Sequence, residues 1–434
     1  MNFKSQYQQK LITIPAAIEK LRSGQRVVAA MCASEPVGLL SDLESYADRL
    51  DDVHVVMCLP MRKYGFYTKP EMAGHFFLEN WFYGAPDRKA HPLGMVSYIP
   101  NNLHSAATDR IHASGGVNVF WGTATPPNEH GIMSLSTSLV FERQLIEKAD
   151  LVILEINENL PWTLGDTQVH ISDVDYVVEN HIPLVQLPSI KPAEIEIAIG
   201  QHIAGLIEDG STLQLGIGGI PNAIASQLFE KHDLGIHTEM FTDGMVELFE
   251  AGVVTGKRKT LWPNKMVGTF ALGTQKLYDF VNNNIAVEFL QGRVTNDPYI
   301  IAKNYKMVSI NTALQVDLLG QVCSQSLGSR QFSGTGGQLD THRGAQMSEG
   351  GRGIIALRST AKHGAISTIV PQLALGAGVT VPSQDVDTIV TEYGVAELRG
   401  RSLQERVVAL VRIAHPDFRA ELQEKAYQLG IVVK

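Results

Sequence analysis

Cysteine is scarce in this chain: three in 434 residues, Cys32, Cys58 and Cys323, widely spaced and odd in number. That excludes a disulfide framework and any cysteine-based zinc spacing, and it suits a reducing cytoplasm. No apolar run reaches the ~18 residues that a membrane span needs. The amino-terminal stretch MNFKSQYQQKLITIPAAIEKL carries lysines but no continuous apolar segment of signal-peptide type. Positive charge is in deficit, with 36 Lys and Arg against 45 Asp and Glu for a net charge of −9, which argues against a nucleic-acid partner. Several chemical signatures are also missing. No HExxH places two histidines for a metal, and no GxSxG elbow offers a serine nucleophile. GVVTGKRK has the wrong glycine spacing for a Walker A loop and lacks Ser or Thr after Lys257, and a Rossmann fingerprint would need glycine where Pro221 stands. The expectation is a soluble, cytoplasmic protein with no membrane segment, no nucleic-acid partner and no metal site.

What is present is ordinary globular composition, 44% hydrophobic and 19% charged. The length suits roughly two to three domains, and two is the simpler division. Apolar runs such as RVVAA (26–30), DVHVVM (52–57), DLVILEI (150–156), TLQLGI (212–217) and DTIVTEY (387–393) alternate with helical patterns. Runs of this length point to parallel strands covered on both faces, hence an α/β fold. A weak internal repeat supports two related domains. GQRVVAAMCASEPVGLLSDL from Gly24 and GSTLQLGIGGIPNAIASQLF from Gly210 share a glycine, an apolar strand, small residues and a proline opening a helix. Segments 117–136 and 307–326 also correspond, as do 149–166 and 386–403, with offsets of about 186, 190 and 237 residues for the three pairs. Chance likeness of βα units is the competing explanation. The boundary is expected in VQLPSIKPAE (185–194), giving domains 1–188 and 189–434 with a ligand in the cleft between them.

Three motifs could carry chemistry. LQLGIGGIPNAIASQLFEK (213–231) reads as a strand, a glycine turn and a helix beginning at Pro221. It is either a cradle for negative charge or a plain βα turn. SGTGGQLDTHRGAQMSEGGRG (333–353) holds seven glycines with Arg343 and Arg352, and is either a functional loop or a mobile surface loop. In GIHTEMFTDGMVELFEAG (235–252), Glu239 sits at the centre of a short apolar strand ahead of a turn at Asp243–Gly244, so that His237 and Glu239 share a face. Glu155, Asp166, Glu392 and Glu397 compete with it as carboxylates, and His237, His342 and His363 are undecided among the histidines. Spacing alone does not choose among them.

GIGGIPNA, HTEMFTDGMVELFEAGVVTGKRK, SGTGGQLDTHRGA, IIALRSTAK and VTEYGVAELRGRSLQERVVALVRIAHPDFR, in that order over nearly the whole chain, resemble the acetyl-CoA hydrolase/transferase family of CoA-transferases. The resemblance implies two tandem, similar open α/β domains of the CoA-transferase type with the active site in the cleft between them. It implies that Glu239 is the nucleophile, forming an acyl anhydride and then a glutamyl-CoA thioester in ping-pong turnover. It assigns Gly216, Ile217, Gly218, Gly219 and Ile220, together with Gly336, Gly337 and Gln338, to oxyanion and CoA contacts. Asn311, Leu314 and Gln384 are placed along the CoA, while Arg343, Lys362 and Arg399 are candidates for its phosphates. Coenzyme A is then a substrate rather than a tightly bound cofactor, no metal is needed, and a homodimer or higher homo-oligomer is expected. Where many relatives have Pro-Arg-Thr-His-Gly-Asp, this chain reads PWTLGD (161–166), near the substrate end of the implied cleft, so acyl specificity does not carry over.

The implied reaction moves CoA between short-chain acids, with acetyl-CoA as donor and 4-hydroxybutyrate or butyrate as acceptor. An acyl-CoA hydrolase, in which water takes the glutamyl thioester, is the alternative within enzymes. A non-catalytic CoA-binding regulatory subunit is the alternative outside them.

Overall fold

The computed structural model describes residues 3–431 and divides the chain into two compact units, 1–187 with 268–294, and 188–267 with 295–434. The second domain expected from the sequence, a contiguous 189–434, is thus interrupted: residues 268–294 pack with the first unit. Main-chain hydrogen bonds explain why. Leu139 N–H donates to Thr269 O at 2.8 Å, Ala271 N–H to Thr137 O at 2.8 Å, Asn283 N–H to Trp162 O at 2.7 Å and Phe289 N–H to Leu164 O at 2.8 Å. Buried main-chain groups must be paired somewhere, and this segment finds its partners in the first unit.

The first unit is built on a seven-stranded parallel sheet: β1 (Arg26–Ala29), β2 (Val53–Met57), β3 (Phe76–Asn80), β4 (Val96–Tyr98), β5 (Val117–Ala124), β6 (Ala149–Ile156) and β7 (Tyr176–Glu179), in the order β4-β3-β2-β1-β5-β6-β7. Both faces are covered, as the uninterrupted apolar runs require. Val27, Ala29, Val55, Met57, Val119 and Trp121 enter one core with Leu39, Leu43 and Tyr67, while Val28, Val56 and Phe120 are buried on the other face. Each such aliphatic side chain withdrawn from water contributes about 1.5–3 kcal/mol.

The second unit repeats the plan with six strands: β8 (Thr212–Leu215), β9 (Gly235–Ile236), β10 (Met307–Thr312), β11 (Arg352–Ala356), β12 (Thr388–Thr391) and β13 (Gly394–Glu397), ordered β9-β8-β10-β11-β12-β13 and parallel except for the β12–β13 hairpin. The first two repeat pairs match by sheet position, β1 with β8 and β5 with β10. The third does not. Beside β5 lies β6, whereas β12 stands two places from β10 with β11 between, so the likeness of 149–166 to 386–403 pairs strands one position out of register.

The PWTLGD segment serves this first-unit packing. Pro161 O accepts from Ser136 Oγ at 2.7 Å, and Asp166 N–H donates to Phe289 O at 2.8 Å. Gly165 has φ +107°, and a Cβ there would lie 2.2 Å from Phe289 O. Only glycine fits both constraints. Gly165→Ala is therefore expected to destabilise the protein by roughly 2–5 kcal/mol through combined backbone strain and overlap, read as a lowered midpoint in thermal or urea unfolding; an unchanged midpoint would contradict this packing.

Candidate functional site

Glu239 does not lie in a strand. The short strand β9 pairs with β8 through Thr212–Gly235 and Leu213–Ile236, and His237 N–H extends the ladder to Leu213 O at 3.0 Å. Then the chain bends. Thr238 N–H donates to Val267 O at 2.9 Å instead of to β8, and its hydroxyl reaches Met240 O at 3.2 Å and Leu215 O at 3.4 Å, so the main-chain ladder with β8 stops and Glu239 stands at a bend before the two-residue strand Met240–Phe241. Side-chain alternation ends with the ladder, and His237 and Glu239 do not share a strand face as the sequence suggested. Asp243–Gly244 is likewise no tight turn. It opens the helix α2 (Asp243–Glu250), which buries Met245, Val246 and Leu248 on one side and places an acidic residue in its first turn, where the helix dipole favours it.

The Glu239 carboxyl is held by two donors. Asn296 Nδ2 reaches Oε2 at 2.9 Å, and the Gly337 main-chain N–H provides the other. Burial pushes the carboxyl up from 4.5 to about 7; the Asn296 bond opposes that shift, Asp340 adds to it, and the Gly337 bond opposes it again. Gly337 permits this closeness, since a Cβ there would stand 2.1 Å from Oε2 and 2.1 Å from Asn296 Nδ2. Gly336, at φ +53°, turns the chain into the helix α3 (Gln338–Met347), which Gly337 caps. Ten of the 21 residues of the glycine-rich stretch 333–353 thus form a helix, flanked by loops at 333–337 and 348–351. Gly344 lets α3 approach Ile301, where a Cβ would lie 2.5 Å from the side chain.

The 216–220 turn follows β8. Its helix α1 (Gly219–Ser226) begins two residues before Pro221, and Gly218 takes φ +113°, which only glycine adopts readily. Gly219 has a structural reason to be glycine: the Glu196 carboxylate, which accepts from Ala193 N–H at 2.7 Å and pairs with Arg358, lies 2.4 Å from where its Cβ would be. Ile217 is exposed and Ile220 buried. Asn311, near the end of β10, gives its amide to Gln214 Oε1, Ser309 Oγ and Thr341 Oγ1 at 3.0–3.2 Å. Leu314 is half-buried and tied by its N–H to Cys323 O at 2.9 Å. Gln384 is exposed on the turn leading into β12, toward the amino edge of the sheet. The 216–220 turn, Glu239 and Asn311–Leu314 instead follow parallel strands, toward the carboxyl edge where α/β folds bind ligands. Of the residues expected from the sequence, hydrogen bonding joins Glu239 directly to Gly337.

The competing carboxylates are occupied otherwise. Glu155 accepts from the N–H groups of Gly38 and Leu39 and from Asn180, holding a helix start. Glu392 accepts from Ser359 N–H and Oγ, Glu397 pairs with Arg352, and Asp166 accepts from Gln291. Arg343 is engaged in a two-pronged pair with Asp385 at 3.1 and 2.8 Å. His342 is buried against Gly353, and Lys362 and His363 occupy a hairpin turn. Among the described residues no three His, Cys, Asp or Glu side chains group to hold a metal ion. Asn296 is the residue the sequence did not reveal. It lies 57 positions after Glu239 in GRVTNDPY, a stretch with no motif to mark it. A half-buried carboxyl with two donors and a glycine beside it can, once ionised, attack an electrophilic carbonyl.

Residues 1–187 match the family profile described as the acetyl-CoA hydrolase/transferase N-terminal domain, and 273–426 match that of its C-terminal domain. The chain is 45% identical over 425 residues to the 4-hydroxybutyrate coenzyme A transferase of Clostridium kluyveri, covering 98% of this chain and 99% of the relative. It is 41% identical to the succinyl-CoA:cyclohexane-1-carboxylate CoA transferase of Geobacter metallireducens, over 99% and 98% of the two chains. Among solved structures, RipA from Yersinia pestis superposes with a TM-score of 0.92 at 36% identity, with both chains covered completely.

Two outcomes test the carboxyl environment. Infrared difference spectra are expected to show the protonated Glu239 carboxyl disappearing with a midpoint of about 7. In Asn296→Ala the midpoint moves upward, because a bond that favours the ionised form has gone; a midpoint near 4 in the unaltered protein would refute the desolvated environment. Gly337→Ala is expected to leave the fold intact and to displace the carboxyl or the amide, abolishing that titration signature or moving it.

Proposed function

The chain belongs to the acetyl-CoA hydrolase/transferase family, and from that premise we propose that it is a CoA-transferase that moves CoA between short-chain carboxylic acids, with Glu239 as the nucleophile. One observation carries the residue assignment: the half-buried Glu239 carboxyl, raised to about 7 by burial, is held by Asn296 Nδ2 at 2.9 Å and lies against Gly337, where any side chain would overlap it.

The chemistry follows from what a carboxylate can do. A Glu239 oxygen attacks the thioester carbonyl of the acyl-CoA, the C–S bond breaks, and CoA leaves as thiolate while an acyl-glutamyl anhydride forms. The thiolate then attacks the glutamyl carbonyl and expels the first acid as its carboxylate, giving a glutamyl-CoA thioester. A second carboxylate attacks that thioester, and the same two steps in reverse deliver the new acyl-CoA and restore Glu239. Thioester energy is thus conserved throughout. Each tetrahedral intermediate develops an oxyanion. The N–H groups of 336–338 and of the 216–220 turn are assigned to these oxyanions and to CoA, with losses of about a hundredfold or more in rate for each donor removed. Asn311, Leu314 and Gln384 are assigned positions along the CoA.

Acetyl-CoA is the proposed donor and 4-hydroxybutyrate or butyrate the acceptor, which accords with the name of the Clostridium relative. Discrimination among such acids is modest, since one methylene contributes only about 1–3 kcal/mol. CoA passes through as a substrate. A cytoplasmic setting is part of the proposal, supported by the scarcity of cysteine, three in the chain and all buried, as is a homo-oligomer, which solution mass measurement reads directly. No helix among the described residues is long and apolar enough to cross a membrane.

The test is peptide mass spectrometry after mixing the protein with acetyl-CoA, with and without borohydride. The expected result is a CoA adduct on the peptide containing Glu239, replaced by the reduced alcohol after borohydride, and neither species in Glu239→Gln. Steady CoA release without dependence on an acceptor acid would instead mean hydrolysis, and full turnover in Glu239→Gln would remove Glu239 from the chemistry. The pH profile gives a second check. Only ionised Glu239 attacks, and its raised folded-state value means that the ionised fraction grows through about 7. The rate with saturating acyl-CoA is therefore expected to rise with pH and level off above that region; a rate already flat from pH 5 upward would oppose it.

A further inference from the structure

Accepting Glu239 as the nucleophile, we propose that His237 is a positioning residue, which fixes the main chain at Thr295 and so aims the Asn296 carboxamide at Glu239. The chain leaves the second unit after Val267 and re-enters it at Thr295. Residues 237 and 238 hold both points. Thr238 N–H donates to Val267 O at 2.9 Å on the way out, and His237 Nε2 donates to Thr295 O at 2.8 Å on the way back.

The His237 ring is locked for this task. Asn304 Oδ1 accepts from Leu261 N–H at 3.3 Å, so its Nδ2 faces His237 Nδ1, also at 3.3 Å. Nδ1 must then be the acceptor, and the ring proton sits on Nε2, directed at Thr295 O. The ring is 1% exposed, and Trp262 lies with its ring centroid 5.9 Å away. Burial and the neighbouring Lys259 ammonium both disfavour protonation, holding the imidazole neutral with its value down to about 3.

Asn296 depends on this support. Its Oδ1 has no hydrogen-bond partner among the described residues, so the only side-chain anchor shown for the amide is Glu239 itself. Its direction is therefore set by the backbone on either side: Thr295, held by His237, and Asp297, which caps the next helix by accepting from Tyr299 N–H at 2.8 Å. None of the residues that the sequence resemblance marks for CoA contact takes part in this support.

The test is a mutant cycle with kinetics. His237→Leu removes the Nε2 donor, His237→Gln keeps an N–H that can reach Thr295 O, and Asn296→Ala removes the amide. In folded His237→Leu, checked by circular dichroism, kcat for acetyl-CoA with a carboxylate acceptor is expected to fall about 10- to 100-fold with KM for acetyl-CoA within about twofold. His237→Gln recovers most of that loss. On the Asn296→Ala background, His237→Leu costs less than about twofold more, because both act through the same amide. Wild-type kcat in folded His237→Leu, or a full multiplicative loss in the double variant, would overturn the proposal. If His237→Leu does not fold, Asn304→Ala, which releases the ring without removing it, is compared with Asn296→Ala in the same cycle, and a multiplicative loss there overturns it equally. Glu239→Gln is measured alongside: turnover retained by that variant defeats the nucleophile assignment, whereas its loss beside an unaffected His237→Leu defeats the positioning role alone.

Discussion

With Glu239 as the proposed nucleophile, the second unit's chemistry rests on a single half-buried carboxyl group. Burial lifts several carboxyls of this protein to about 7, Glu35, Glu155 and Glu239 among them. What separates Glu239 is what surrounds it. Glu35 is gripped by Met61 N–H at 2.5 Å and Tyr64 OH at 2.7 Å, and Glu155 accepts two main-chain N–H groups and an amide, so their oxygens are spent on structure. Glu239 has the Asn296 amide and one main-chain donor, beside a residue with no side chain. Glu35 and Glu155 are fully buried, whereas Glu239 is partly exposed, so of the three its carboxyl is the one within reach of an incoming group.

That arrangement explains the local sequence. The bend at Thr238 turns Glu239 out of the ladder, Gly337 clears the space next to it, and Gly336 supplies the left-handed step that brings the N-terminus of the Gln338–Met347 helix to the carboxyl. The peculiar connectivity serves the same end. The chain departs after Val267 to build 268–294 into the first unit, then returns with Asn296 two residues beyond Val294. Residues that hold the return point therefore also set the amide that touches the carboxyl, and buried His237 does so through a main-chain oxygen, where a single fixed tautomer suffices.

Much of the architecture was legible in the sequence because it rests on periodicity. The runs at 26–30, 52–57, 150–156 and 212–217 became central parallel strands, since uninterrupted apolar residues have to be buried on both faces. Irregular placements were not legible. The strand read through Glu239 ends at the bend where the Thr238 hydroxyl meets Met240 O, and within the glycine-rich 333–353 stretch Gln338–Met347 is a helix whose Gly344 packs closely against Ile301.

By itself the sequence determined the fold class and the family, through apolar runs that dictate burial and through five motifs whose order no single helix or strand imposes. It also singled out Glu239, though only by resemblance, since a strand carboxylate looks the same whether solvated or buried. Tertiary structure alone decided that Asn296 meets this carboxyl, that 268–294 belongs to the first unit, and that Glu155 and Glu392 are committed elsewhere. The reason is physical: hydrogen-bond partners and desolvation are properties of groups brought together from distant parts of the chain, and one-dimensional spacing does not encode which of them meet.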